Sequence, residues 1–269
     1  MHNTLLTDRY IRGLRTSDLV SYKALRGLVL LLMAAFVYTP IQVAHAASKT
    51  SSLDGLGVPI GPDSQALTTA RGHDVIVVVA YGGSGLYVMD SAGLRFTQRV
   101  SSWISPCGRG DCLLYLSEFY AVADRPLRSD NITAVVPLNS YYDGFALVGL
   151  QAVAIHGASM GIFDADPSIP IIGCQRPFLC SRHILQLSIQ TSTSDFVVAA
   201  TAIDGDSGGC FTEPGFTTVQ TIMNPVDLGF EFYYRIVPVP NTTVNLACPP
   251  YNSVAMFQMD AVSLVPSQS

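Results

Sequence analysis

Short apolar runs recur along this chain at close spacing, each bounded by clusters of Gly, Pro, Asp, Asn or Ser, and no long amphipathic helical pattern interrupts them. The runs are Asp74 to Ala80, Leu86 to Met89, Leu94 to Val100, Leu114 to Ala123, Asn131 to Val136 and Phe145 to His156. They continue with His183 to Gln190, Phe196 to Ala202, Phe216 to Met223, Phe230 to Val237, Thr243 to Ala247 and Val254 to Val262. All are rich in Val, Ile, Phe and Tyr, the side chains that pack well on a pleated surface. Asp90-Ser91-Ala92-Gly93 sits between two of the early runs as a hairpin turn would. Strands without intervening helices predict an all-β chain folded as an antiparallel, jelly-roll-like β-sandwich.

A different pattern precedes the first run. Arg9, Arg12, Arg15, Lys23 and Arg26 form a basic stretch, Leu28 to Tyr38 an apolar one, and Ala44-His45-Ala46 a small-residue cleavage site. Those are the three parts of an export signal. Residues 1–46 therefore read as a signal helix, cleaved or kept as an uncleaved anchor, residues 47–72 as a linker, and 73–265 as a single β-sandwich domain. No later run reaches the roughly 18–20 unbroken apolar residues of a spanning helix, so any membrane contact is expected only through the leader. The expected location is secreted or cell surface. Of 15 basic and 20 acidic residues, five basic and two acidic ones precede Ala47, which leaves the remainder at −8 with Lys49 as its one lysine. A basic groove for nucleic acid is excluded on that count.

All six cysteines, Cys107, Cys112, Cys174, Cys180, Cys210 and Cys248, lie beyond the cleavage site, as expected for thiols that meet an oxidising compartment. Cys107 with Cys112 and Cys174 with Cys180 would close short loops, leaving Cys210 with Cys248. No CxxC pair exists and His73, His156 and His183 are scattered, which argues against zinc.

Several segments carry a resemblance. Gly93-Leu94-Arg95-Phe96-Thr97-Gln98-Arg99, Glu118-Phe119-Tyr120-Ala121-Val122-Ala123, Ser129-Asp130-Asn131-Ile132-Thr133, Ile155-His156-Gly157-Ala158, Phe163-Asp164 and Pro167-Ser168-Ile169-Pro170 come in that order. From about His73 to Val262 the chain resembles a set of uncharacterised secreted β-sandwich proteins, many of them archaeal. The resemblance implies a jelly-roll-like domain at the cell exterior and no catalytic residues. The cysteines and Gly205 to Cys210 are not part of it.

Gly205-Asp206-Ser207-Gly208-Gly209 reproduces the nucleophile loop of trypsin-like serine proteases, with His73 upstream and Asp124 or Asp130 between them. Against a protease, His73 lacks the Ala-Ala-His-Cys setting of that base, and Gly, Asp and Ser are also what a plain turn requires. Asp164 with Asp166, and Asp204 with Asp206, place carboxylates two apart as a calcium loop does, though Gly215 stands where the closing glutamate would be. Calcium is thus the one cofactor the sequence suggests. Asn131-Ile132-Thr133 and Asn241-Thr242-Thr243 are glycosylation acceptors. Trp103, Tyr81, Tyr87, Tyr141, Tyr142 and Tyr251 could stack sugars or serve as core. His156 reads as a strand-end histidine. Together these features predict an exported, non-enzymatic module for adhesion, glycan binding or self-assembly, whose partners are glycans, cell-surface proteins or itself. The alternative is an extracellular hydrolase acting through Ser207.

Overall fold

The structure, a computed structural model, describes residues 52–104, 113–137, 147–174, 186–204, 211–212, 214–223, 228–247 and 254–265. Among them are eighteen strands and no helix. The first nine are β1 (Leu53–Leu56), β2 (Val58–Pro59), β3 (Ser64–Leu67), β4 (Asp74–Gly83), β5 (Tyr87–Met89), β6 (Thr97–Ile104), β7 (Leu114–Ala123), β8 (Asp130–Val135) and β9 (Leu147–Ile155). The second nine are β10 (Ala158–Phe163), β11 (Ile171–Cys174), β12 (Gln186–Gln190), β13 (Asp195–Asp204), β14 (Phe211–Thr212), β15 (Thr217–Met223), β16 (Leu228–Val237), β17 (Thr243–Ala247) and β18 (Val254–Leu264).

Every pairing among these strands is antiparallel, and the strands form four sheets. An inner sheet of order β1-β9-β4-β7-β6 and an outer one of order β2-β3-β8-β5 make the first half; β10-β18-β13-β16-β15 and β12-β17-β14 make the second, with β11 also on β18. Alternation along the central strands explains the stacking. On β4, Val75, Val77, Val79 and Tyr81 face a core shared with Phe196, Val198, Ala200 and Ala202 of β13, so the two inner sheets lie face to face. Ile76, Val78 and Ala80 face the other way, onto Leu67, Ile132 and Ala134 of the first outer sheet. Val197, Ala199 and Ile203 likewise face Leu187, Ile189, Val244 and Leu246 of the second. A strand covered on both faces needs a long apolar run, which residues 75–83 and, with Thr201 as the one polar residue, 196–203 supply, whereas β12 on the outside alternates buried and exposed.

The two halves share one frame. β4 pairs with β7 over ten consecutive rungs from Asp74↔Ala123 to Gly83↔Leu114, and β13 with β16 over ten from Asp195↔Val237 to Asp204↔Leu228. Superposing those ladders sets Asp74 on Asp195, and the neighbouring ladders set Gln151 on Gln258, opposite Val79 and Ala200 respectively. Each edge strand of the inner pair carries its irregularity at the same place, between Gln98 and Val100 on β6 and between Thr218 and Gln220 on β15. A buried threonine repeats as well. Thr69 N–H donates to the Leu127 carbonyl and its hydroxyl accepts from Leu127 N–H; Thr191 makes the same exchange with Thr242.

Three sequence expectations change. Segment 47–72, read as a linker, carries β1, β2 and β3, with Leu67 fully buried. These strands are short and hold Gly and Ser, so no apolar run marks them. The Asp90–Gly93 turn is not a hairpin: β5 pairs with β8 in the outer sheet and β6 with β7 in the inner one, so the turn crosses between sheets. Asp90 shapes it by accepting from the N–H groups of Gly93 and Leu94, and Gly93 takes φ +83°, a conformation that suits glycine. β10, β11 and β14 are further short strands without a run of their own.

Candidate functional site

The solvent-facing chemistry of the first half gathers on the β6–β7 ribbon. Its register pairs Ser101 with Ser117 and Trp103 with Tyr115. Direct cross-strand partners share a face, so these four side chains lie together, on the side where Phe119 enters the first half's core. The outer sheet does not extend over them. Instead the turn Ser84–Leu86 rises beside the ribbon and encloses a groove of about 220 Å³ lined by Ser84, Gly85, Leu86, Gln98, Ser101, Tyr115 and Ser117. The Ser101 and Ser117 hydroxyls are 2.8 Å apart on its floor. Trp103, next to Tyr115, is 45% exposed, a large aromatic surface left in water.

This lining is neutral. Hydroxyls and a carboxamide offer both donors and acceptors, and the aromatic pair offers a flat apolar face. Among the described residues the lining holds no carboxylate, histidine, lysine or arginine. The equivalent place in the second half is different. Thr221 and Glu231 stand where Ser101 and Ser117 do, and Tyr233 stands at the Phe119 position. The Tyr233 hydroxyl donates to Glu231, as does Thr201 at 3.3 Å, and both Glu231 and Tyr233 are buried. Burial, then the adjacent Glu231, raises the Tyr233 hydroxyl far above the ordinary phenol range.

A second polar cluster lies between the inner sheets. The irregularity beside Gln98 turns Arg99 towards the second half, where its Nε donates to Asp260 at 3.0 Å, its guanidinium covers the Phe163 ring at 4.1 Å, and a terminal nitrogen donates to the Ile169 carbonyl. Gln258 donates to Glu118 at 3.0 Å. Glu118, Gln258 and Asp260 are fully buried and Arg99 is partly exposed, so the cluster joins the halves with its carboxylates hidden from solvent.

The other sequence candidates separate. His73 and Asp124 meet at 3.9 Å, both largely exposed at 83% and 89%. They mark the start of β4 and the end of β7. The position of a Gly149 Cβ would touch Phe230, so the ends of β4 and β13 near Tyr81 and Ala202 lie together, far from His73. β13 therefore ends, at Asp204, at the end of the inner sheets opposite to His73; Ser207 and Asp206 lie outside the described residues, as does the side chain of Asp204. Asp130 is buried and accepts from Ser91 and Ala92. Asp164 accepts from Ser192 and from Asp166 N–H, while Asp166 accepts from Ser168, so these carboxylates shape turns. Among the described residues no group of three or more His, Cys, Asp or Glu is arranged to hold a metal.

Cys174 is buried in the central core and is not a free thiol; Cys107, Cys112, Cys180, Cys210 and Cys248 lie outside the described residues. Asn131 and Asn241 are exposed. Tyr81 is core, Tyr87 is half-exposed on the outer sheet, and Tyr141, Tyr142 and Tyr251 are outside the described residues. His156 caps the end of β9 with Nδ1 2.8 Å from Asp74. The sequence signal for the groove was Trp103 alone; its partner Tyr115 is supplied by strand register. No family model, curated protein or solved structure matches the chain.

Proposed function

We propose that the chain is an exported, non-enzymatic binding module that takes neutral glycans in the β6–β7 groove. The observation that carries this reading is the Trp103–Tyr115 pair, cross-strand partners beside a groove lined by three serines and a glutamine. A sugar ring presents hydroxyls that match such a lining and a C–H face that packs on an aromatic ring. Pockets for drug-sized molecules run about 300–1,000 Å³. At about 220 Å³ this groove suits one ring of a longer glycan, with the rest held outside it.

Export rests on the leader and on the secreted proteins that the segments from His73 to Val262 resemble. Exposed acceptor asparagines and the absence of a free thiol at Cys174 agree with it. The disulfide framework remains Cys107–Cys112, Cys174–Cys180 and Cys210–Cys248. Phe211 pairs with Ala247, which supports bringing their neighbours Cys210 and Cys248 together. Ile104 pairs with Leu114, so a Cys107–Cys112 bridge would staple the hairpin loop next to Trp103.

Each half is read as a jelly-roll-like unit. In such a unit successive strands alternate between two sheets. From β3 to β9 the chain visits outer, inner, outer, inner, inner, outer and inner sheets, the one repeat being the β6–β7 hairpin that builds the groove. The second half follows the same course from β12 to β18. A glycan array probed with the exported chain and with Tyr115→Ala tests the function. Binding to neutral glycans that weakens at least tenfold in the variant is the expected result. No binding by the folded chain, or equal binding by both, would overturn it.

A further inference from the structure

We infer that the folded domain requires protons: four carboxyl pairs, Asp54–Asp74, Asp90–Asp130, Glu118–Asp260 and Asp164–Asp195, each share one, so the domain is tightest in mild acid and loosens at neutral pH. Asp74, Glu118, Asp195 and Asp260 have no exposure, and Asp130 and Asp164 have almost none. Within each pair the two side chains are hydrogen-bond neighbours. Two carboxylates cannot form such a bond; a carboxylic acid and a carboxylate can.

The donors divide to match. Asp54 accepts from the N–H groups of Ala70 and Arg71, Asp164 from Ser192 and Asp166, Asp90 from Gly93 and Leu94, and Asp260 from Arg99 and Ala261 N–H. Asp54, Asp164 and Asp260 are thus supplied as anions should be, whereas in the fourth pair Asp130 also accepts, from Ser91 and Ala92, and Asp90 is the raised group. In every pair one buried oxygen meets no conventional donor: Asp74 Oδ2, Asp195 Oδ2, Asp130 Oδ2 and Glu118 Oε1. A shared proton satisfies all four at once. Without it, each would be a buried orphan beside a like charge, an arrangement that costs free energy.

The surroundings set the direction of titration. Facing Asp74 are Asp54 and His156, with Arg71 Nε 3.8 Å from Asp54; burial first, then Asp54, pushes Asp74 up to about 6. Facing Asp195 are Asp164, Thr193 and Ser263, and burial, then Asp164, pushes it up to about 7. Glu118, facing Asp260, Arg99 and Gln258, is raised well above the carboxylate range, chiefly by burial. Asp90 is raised by burial and by Asp130. Burial would raise Asp164 too, but its bonds from Ser192 and Asp166 outweigh burial and hold it low.

For the raised groups the folded state binds more protons than the unfolded chain. Their contribution is complete below the ordinary Asp range and is lost as pH rises through about 6 for Asp74 and about 7 for Asp195. Asp164 acts only at the acid limit, losing its contribution as pH falls below the ordinary Asp value. Two of the pairs fix β1 and the end of β10 beside the starts of β4 and β13, and Glu118–Asp260 spans the inner sheets. Neutralisation therefore loosens the joint between the halves along with their edges.

Thermal unfolding of the exported chain at pH 5 and pH 8, at constant ionic strength, tests the inference. The wild type is expected to lose on the order of 10 °C in Tm between them. The double variant Asp74→Asn, Asp195→Asn, which keeps a donor in those two pairs at any pH, is expected to lose less than half as much. A Tm equal or higher at pH 8, or an undiminished loss in the variant, would overturn it. So would recovery of the pH 5 value at pH 8 on adding calcium chloride, since the carboxyls would then be ligands. Should the variant not fold, ¹³C carboxyl shifts of the wild type serve: a midpoint for Asp195 near 7 supports the inference, and one near 4 overturns it.

Discussion

The first and second halves are built on one frame and put it to different use. In both, a ten-residue central strand opens on a fully buried aspartate, Asp74 or Asp195, that faces the aspartate of a preceding strand or its end. In both, a buried threonine closes the turn before that strand. The edge ribbons differ. Where the second half closes its surface with Glu231 and Tyr233, the first leaves serine hydroxyls under a groove and an aromatic pair beside it. Where β15 carries Val219 at its irregularity, packed on the central core, β6 carries Arg99 and binds the other half. One half closes its ribbon, and the other leaves a groove on it. A duplicated frame can diverge in this way because the side chains of an edge ribbon are not tied to the ladder that fixes the central strands.

The comparison can be broken most forcefully at the core that the halves share. Phe230→Ala removes a fully buried ring at the position equivalent to Leu116, and its expected cost is about 3–5 kcal/mol, read from denaturant unfolding. A loss below 1 kcal/mol would mean that the inner sheets do not pack on each other. Next come the two irregularities. Arg99→Ala strips Asp260 of its cation and should cost about 3 kcal/mol, whereas Val219→Ala should cost about 1 kcal/mol. Equal losses would remove the asymmetry drawn between β6 and β15. Smaller again are Thr69→Val and Thr191→Val. Each leaves an N–H without its acceptor, and both should cost about 1–2 kcal/mol, agreeing within about 0.5 kcal/mol if the turns are copies. Last, Trp103→Ala should change stability by less than about 1 kcal/mol while abolishing glycan binding, because an exposed side chain contributes little to folding.

Much of the fold was legible in the sequence. Leu114–Ala123 and Thr243–Ala247 are strands over the runs that marked them, and the central strands reach only two or three residues beyond theirs. The strands that escaped, β1 to β3, β10, β11 and β14, are short, all but β14 hold Gly, Ser or Pro, and they take their place from a neighbouring ladder. The shared frame left little trace in the residues because a buried strand position asks only for an apolar side chain of suitable size, so Phe196 answers to Val75 and Ala200 to Val79 without identity. What persists is polar: Asp74 with Asp195, Gln151 with Gln258, Thr69 with Thr191. Candidates chosen by motif gave His73 and Asp124 on the surface at one end and Tyr81 in the core. The groove depends on register, which pairs Trp103 with Tyr115 across a hairpin, and on a turn from elsewhere in the chain.

Trp103 is the chain's single tryptophan, so its emission reports on the groove alone. Titrating the chain with the neutral glycan that it retains most strongly on an array should change that emission saturably, and Tyr115→Ala should abolish the response. Binding of that glycan, shown independently by calorimetry, with Trp103 emission unchanged would contradict the account and move the binding site elsewhere on the molecule.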